Sequence, residues 1–141
     1  MSERSILDSE RAPEPVGPYP HARRVGNLLF LSGIGPRDRG KKAIPGVITD
    51  AEGNKVGRDM EVQCRSVFDN VRIVLEDSGS AWENMVDVTT FLTNMAEDFE
   101  IYNRVYKEYF SEVRPARTTV GITALPTPID IELKVIATID D

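Results

Sequence analysis

The stretch DMEVQCRSVFDNVRIVLEDSGSAWENMVDVTTFL, residues 59–92, decides the fold, because the spacing of its apolar residues changes part-way along. From Asp59 to about Asp77, Val62, Val67, Phe68, Val71, Val74 and Leu75 recur at the spacing of one helical face, with Arg65, Asp69, Arg72 and Glu76 on the other side. Ser78-Gly79 stops that helix, since glycine takes up the left-handed conformation of a helix end at little cost. Met85 to Leu92 is then rich in β-branched residues and reads as a strand. Cys64 lies inside the helix and reads as a structural thiol, because no histidine is near it in sequence to lower its pKa.

On the C-terminal side, a second helix is expected from about Asp98, read as its N-cap, to Phe110. Its stripe of Phe99, Tyr102, Val105, Tyr106, Tyr109 and Phe110 reads as core packing. Two extended segments follow, Arg114 to Val120 and Ile129 to Ala137. The second alternates strictly, with Asp130, Glu132 and Lys134 on one face and Ile131, Leu133 and Val135 on the other. On the N-terminal side, Ala22 to Val25 and Leu28 to Ser32 flank Gly26-Asn27 and read as a hairpin. Between Gly33 and Gly57 lies a long glycine-rich loop in which Val47-Ile48-Thr49 is a small edge strand. Pro13, Pro15 and Pro18 mark the start of the chain, residues 1–15, as an arm or lead-in. Strand, strand, helix, strand, helix, strand, strand gives an α+β domain over residues 1–141, with two helices packed on one face of a mixed sheet. The other face needs a cover, which a domain this small commonly finds in another subunit.

Composition sets the limits. The chain has 141 residues, 40% of them hydrophobic, enough for one domain with a real core. Its net charge of -6 argues against a surface that grips nucleic acid, which needs a clustered basic face. No run approaches the roughly 18 apolar residues of a membrane span, and Met1-Ser2-Glu3-Arg4 lacks the apolar core of a signal peptide. A soluble cytoplasmic protein is expected. One cysteine excludes an internal disulfide, and one histidine, His21, does not supply a metal cluster. Chemistry then falls to Arg, Glu, Asp, Tyr, Asn, Ser or the backbone. Arg117 and Glu132 stand out because a planar guanidinium matches a carboxylate and a glutamate beside it can handle water. Taken alone, each reads first as a solvated charge.

The sequence resembles the RidA/YjgF family of enamine and imine deaminases from about residue 12 to 138. The resemblance rests on Gly17-Pro18-Tyr19, Leu31-Ser32-Gly33, Asn70-Val71, Phe91 to Met95, Tyr102 to Phe110, Pro115-Ala116-Arg117-Thr118 and Ile131 to Ala137, in that order. It implies a chorismate-mutase-like fold, a homotrimer with pockets at the subunit interfaces, and neither metal nor organic cofactor. It also implies that Arg117 clamps the carboxylate of a small-molecule substrate and that Glu132 positions water. Tyr19, Ser32, Gly33, Asn103 and Thr119 are implied to line the pocket, Thr119 standing where archetypal members carry cysteine. Phrases such as Ser32 to Arg37, Asp50 to Asn54 and Ala124 to Ile129 look like the 2-aminomuconate deaminase branch, which implies conversion of 2-aminomuconate to 4-oxalocrotonate and ammonia in aromatic catabolism. That substrate is a dicarboxylate, and Arg37, with Arg39, Lys41 and Lys42 behind it, is the expected reader of the second carboxylate. A generalist deaminase of 2-aminoacrylate-type intermediates and a non-catalytic metabolite-binding trimer are the alternatives.

Overall fold

The computed structural model describes residues 4–140. Along the chain these form β1 (Arg4–Leu7), β2 (Ala22–Val25), β3 (Leu28–Leu31), β4 (Val47–Thr49), β5 (Lys55–Arg58), α1 (Met60–Asp77), β6 (Met85–Leu92), α2 (Met95–Phe110), β7 (Ala116–Gly121) and β8 (Ile131–Thr138). Six strands make one sheet in the order β1-β2-β3-β8-β6-β7, while β4 and β5 pair with each other as a separate ribbon. β6 and β7 are parallel, joined by the crossover helix α2. The other pairings are antiparallel, so the sheet is mixed. Both helices lie on one face, as the helix-strand alternation predicts.

β8 shows why the sheet has two unlike faces. Ile131, Leu133, Val135 and Ala137 are buried and alternate with the half-buried Glu132, Lys134 and Ile136. The buried row meets Val67, Phe68, Val71 and Val74 of α1 and Tyr102, Val105 and Phe110 of α2 in one core. Phe68 is the hub of its aromatic part, 5.1 Å from the ring of Phe110 and 6.4 Å from that of Tyr102. The aromatic stripe is therefore packing, as expected. On the far face, register aligns Ile6, Arg23, Phe30 and Ile136 in one row across β1, β2, β3 and β8. No element of the described residues covers that row, and Ile6 is 64% exposed.

Several expectations are corrected. Helix α2 starts at Met95, with the Asn94 side chain accepting from the Glu97 amide at 3.2 Å. Asp98 is not the cap. It is buried in the first turn and takes the guanidinium of Arg58 on β5, a cross-link that no local pattern announces. Asp130 does not share the face of Glu132. It precedes β8, turns inward, and accepts from Lys55 Nζ at 2.8 Å, Gln63 Nε2 at 2.8 Å and Thr93 Oγ1 at 3.0 Å. The Val47–Thr49 strand exists, but its partner Lys55-Val56-Gly57-Arg58 was hidden by its glycine and its charges. The proline-rich lead-in contains an edge strand, β1, and is then fastened down: Arg11 pairs with Asp77 at 2.6 Å, and Arg39 donates to the carbonyls of Ser9 and Ala12. Residues 1–3 of that lead-in lie outside the described residues.

Candidate active site

Glu132 owes its position to two strand contacts. On one side β8 pairs with β6, which sets Glu132 beside Phe91. On the other, the chain leaving β3 is bound back to β8 through reciprocal Ile34 and Leu133 backbone hydrogen bonds of 2.9 Å. That clamp presses Gly33 onto the carboxylate: a Cβ there would lie 2.6 Å from Glu132 Oε2. A larger residue there would have to push the carboxylate aside. Ser32 is held by its hydroxyl, which donates to the Pro20 carbonyl at 2.6 Å. Tyr19 stands nearby, its hydroxyl accepting from the Val16 amide at 3.2 Å. Tyr19, Ser32, Gly33 and Arg37 line one small cavity of about 30 Å³, room for little more than water in a single chain.

The electrostatics of this half are dominated by desolvation. Burial pushes the Glu132 carboxyl above its usual range, and the nearby positive charge of Arg37 pulls it part of the way back. Arg37 is itself anchored, donating to the Glu14 carbonyl at 2.6 Å, while Asn70 holds the carbonyls of Gly35 and Arg37 at 2.9 and 2.8 Å. Lys134, two residues along β8 on the same face, donates to the Leu31 carbonyl, and burial lowers its pKa. In the sequence Lys134 is marked only by its alternation with Leu133.

Arg117 occupies the other face. Register pairs Arg117 with Val88 and Val88 with Val135, so its side chain leaves the sheet on the helix side. There the guanidinium lies 4.5 Å from the ring centroid of Tyr106 and 5.4 Å from that of Tyr102, and donates to Asn103 Oδ1 at 3.0 Å. No carboxylate of the described residues pairs with it. Thr119, two residues on, has a buried hydroxyl with no hydrogen-bond partner among the described residues, as has Tyr106. The helical stripe marks Tyr106 only as core, and its i+3 relation to Asn103 on α2 is the signal that links it to Arg117.

The predicted residues thus fall into two sets: Gly33 and Arg37 relate Glu132 to the small cavity that Tyr19 and Ser32 also line, and Asn103 and Thr119 lie on the side of Arg117. Within one chain the two sets are separated by the sheet. Cys64 is buried and its thiol is pushed up to about 12, chiefly by burial, which leaves it without nucleophilic character at neutral pH. His21 is likewise occupied, Nδ1 accepting from the Ser9 amide at 2.9 Å and Nε2 facing the Pro13 carbonyl at 2.8 Å.

The structure is thus a two-helix α+β sheet with a desolvated glutamate on one face and an unneutralised arginine on the other. The chain belongs to the RidA/YjgF family, whose model, described as endoribonuclease L-PSP, matches residues 9–139. It is 36% identical over 141 residues to a 2-iminobutanoate/2-iminopropanoate deaminase of Dermatophagoides farinae, covering 99% of this chain and 100% of that one. To a RutC family protein of Pyrococcus abyssi it is 35% identical over 134 residues, covering 95% and 96% of the two chains. Among solved structures it is similar to E. coli TdcF with bound serine, at a TM-score of 0.81 and 28% identity, covering 96% of this chain and 99% of that one.

Proposed function

We propose that the chain is an imine deaminase, hydrolysing imines of 2-oxo acids to the 2-oxo acid and ammonia. The observation that carries this reading is the contrast between Glu132, desolvated and pressed against Gly33, and Arg117, exposed with no acid to neutralise it. A base and a carboxylate anchor need those two environments. Because the two lie on opposite sheet faces, a complete site takes Glu132 from one copy and Arg117 from its neighbour, in a homotrimer with its pockets at the subunit interfaces. The uncovered row of Ile6, Phe30 and Ile136 supports such an assembly.

In this site Arg117 holds the substrate carboxylate through paired N–H donors and keeps it in place throughout. An enamine first takes a proton on carbon to become the imine. Water then adds to C2 while Glu132 accepts one of its protons, and the carbinolamine collapses as Glu132 returns that proton to the departing nitrogen. One imine and one water give one carbonyl and one ammonia. Fixing substrate and water together removes much of the entropic barrier, and imines need little more.

The names of the relatives favour small imino acids such as 2-iminobutanoate and 2-iminopropanoate over 2-aminomuconate. 2-Aminomuconate is the finer possibility, and it requires a cation for its distal carboxylate. A ribonuclease activity, the word in the family model's description, would need a surface for phosphates, and the net charge of -6 counts against it. The decisive experiment follows ammonia release from 2-iminopropionate and 2-aminomuconate generated in situ, with Glu132→Gln as control. Release lost in the mutant supports the deaminase; binding without turnover in the native protein leaves a metabolite-binding trimer.

A further inference from the structure

Beside Arg117 a groove of about 330 Å³ runs between the end of α2 and the start of β7, lined by Lys107, Arg114 and Arg117 together with Tyr106, Phe110 and Ser111. Three cations meet there and no carboxylate does, in a chain whose net charge is -6. The neighbouring acids turn away: Glu108 pairs with Arg65 at 2.8 Å and, like Glu112, lines a different groove beside Trp82. Neither Lys107 nor Arg114 has an ion-pair partner among the described residues. Cations at a helix C-terminus do complement the helix dipole, which accounts for Lys107 without any ligand.

Arg114 is different. Its φ is 48°, the one positive value among the described non-glycine residues, where its amide donates to the Phe110 carbonyl at 2.9 Å to close α2. Glycine or asparagine fills that position with less strain. A strained backbone that carries a long cation into the groove of the carboxylate anchor points to a role in binding. The alternative cation, Arg37, is engaged elsewhere, bound to the Glu14 carbonyl and set against Glu132.

We propose that Arg114, assisted by Lys107, reads a second anionic group on the substrate, so that the protein prefers dicarboxylic 2-imino acids to monocarboxylic ones. This rests on the imine deaminase reading for its chemistry but not for its binding. The test has two arms on the full-length protein. In the first, 2-oxoglutarate and 2-oxobutanoate are titrated calorimetrically into the wild type, Arg114→Gly, Arg114→Lys and the Arg114→Gly/Lys107→Ala double variant. The expected result is a preference for the dicarboxylate of about fivefold to tenfold, the worth of one charge-assisted hydrogen bond, lost in Arg114→Gly and retained in Arg114→Lys. Arg114→Gly should melt no lower than the wild type, which separates lost charge from lost fold. In the second arm, the ratio of kcat/KM for the two corresponding imines should fall by the same factor in Arg114→Gly. Equal affinities in the wild type, or a preference that survives the double variant, overturns the proposal. Imine hydrolysis without a dicarboxylate preference refutes this subsite and leaves the deaminase standing; an Arg114-dependent preference in binding, without hydrolysis of either imine, does the reverse.

Discussion

Glu132 and Arg117 stand on strands separated only by β6, yet their surroundings are opposites. The Glu132 side is made of backbone: a clamped β3–β8 crossing, a glycine at contact distance, carbonyls that take Lys134 and Arg37. The Arg117 side is made of rings, with Tyr102 and Tyr106 under a guanidinium whose charge no acid cancels. A group that must exchange a proton gains from losing water, which raises its pKa towards neutrality. A group that must attract an anion gains from keeping its charge uncompensated. One sheet supplies both conditions because the β3–β8 crossing walls in Glu132, whereas Arg117 stands on the edge strand β7 and is exposed.

The largest effect is expected at Glu132, the proposed base. Glu132→Gln should lower kcat for imine hydrolysis by about 10²-fold to 10⁴-fold, measured as ammonia release under saturating imine. The same substitution should raise Tm at neutral pH. A carboxyl whose folded pKa is raised contributes stability below its unfolded pKa and loses it as pH rises through the folded value, so removing the ionisation removes that loss. A Tm that drops in the mutant would refute the desolvated base. Arg117→Ala should lower kcat/KM by about 10–100-fold, and Arg117→Lys should restore only part of this, because an ammonium lacks the paired fork. Gly33→Ala tests the contact itself. Its Cβ, 2.6 Å from Oε2, displaces the carboxylate, and kcat should fall by about tenfold with little change in substrate affinity.

Smaller effects sharpen the electrostatics. Arg37→Ala removes the cation that offsets burial, so the acid limb of the kcat/KM profile, set by ionised Glu132, should move to higher pH. An unmoved limb would assign that titration to another group. Asp130→Asn should cost about 2 kcal/mol at pH 7, the worth of a hydrogen-bonded charge with a partly exposed partner. Burial alone would raise the Asp130 carboxyl, but Lys55, Gln63 and Thr93 outweigh it and hold it below the usual range. Its stabilisation is therefore present above the unfolded pKa and is lost as pH falls below it through the folded value, and urea titrations at pH 7 and at about pH 3 should show the gap between mutant and wild type narrowing.

What could be read from sequence follows from how local each feature is. The alternation of β8 and the helical stripe of α1 are dictated by burial on one face, and residues two or four apart carry that signal. The hairpin at Gly26-Asn27 is equally local, with Gly26 at φ 61°. Asp98 and Asp130 were misread because each bonds a residue far along the chain, Arg58 and Lys55 respectively, and such pairing leaves no periodic trace. Of the site, residue types and spacing named Arg117 and Glu132 as chemically apt, but only strand register reveals that they point to opposite faces. The helical stripe marks Tyr106 as packing, and its ring does pack, stacked 3.9 Å from that of Phe110, but it also lies under the Arg117 guanidinium. A residue with two duties shows only the commoner one in sequence.

The separation of Glu132 from Arg117 by a sheet has a genetic consequence. Two chains, each inactivated at a different one of these residues, carry complementary defects. If the Glu132→Gln and Arg117→Ala proteins are unfolded together and refolded at equal amounts, random mixing should leave roughly one interface in four with both native groups. Activity should reappear from two inactive parents, and a diploid or plasmid-bearing cell holding both alleles should be rescued though neither allele suffices alone.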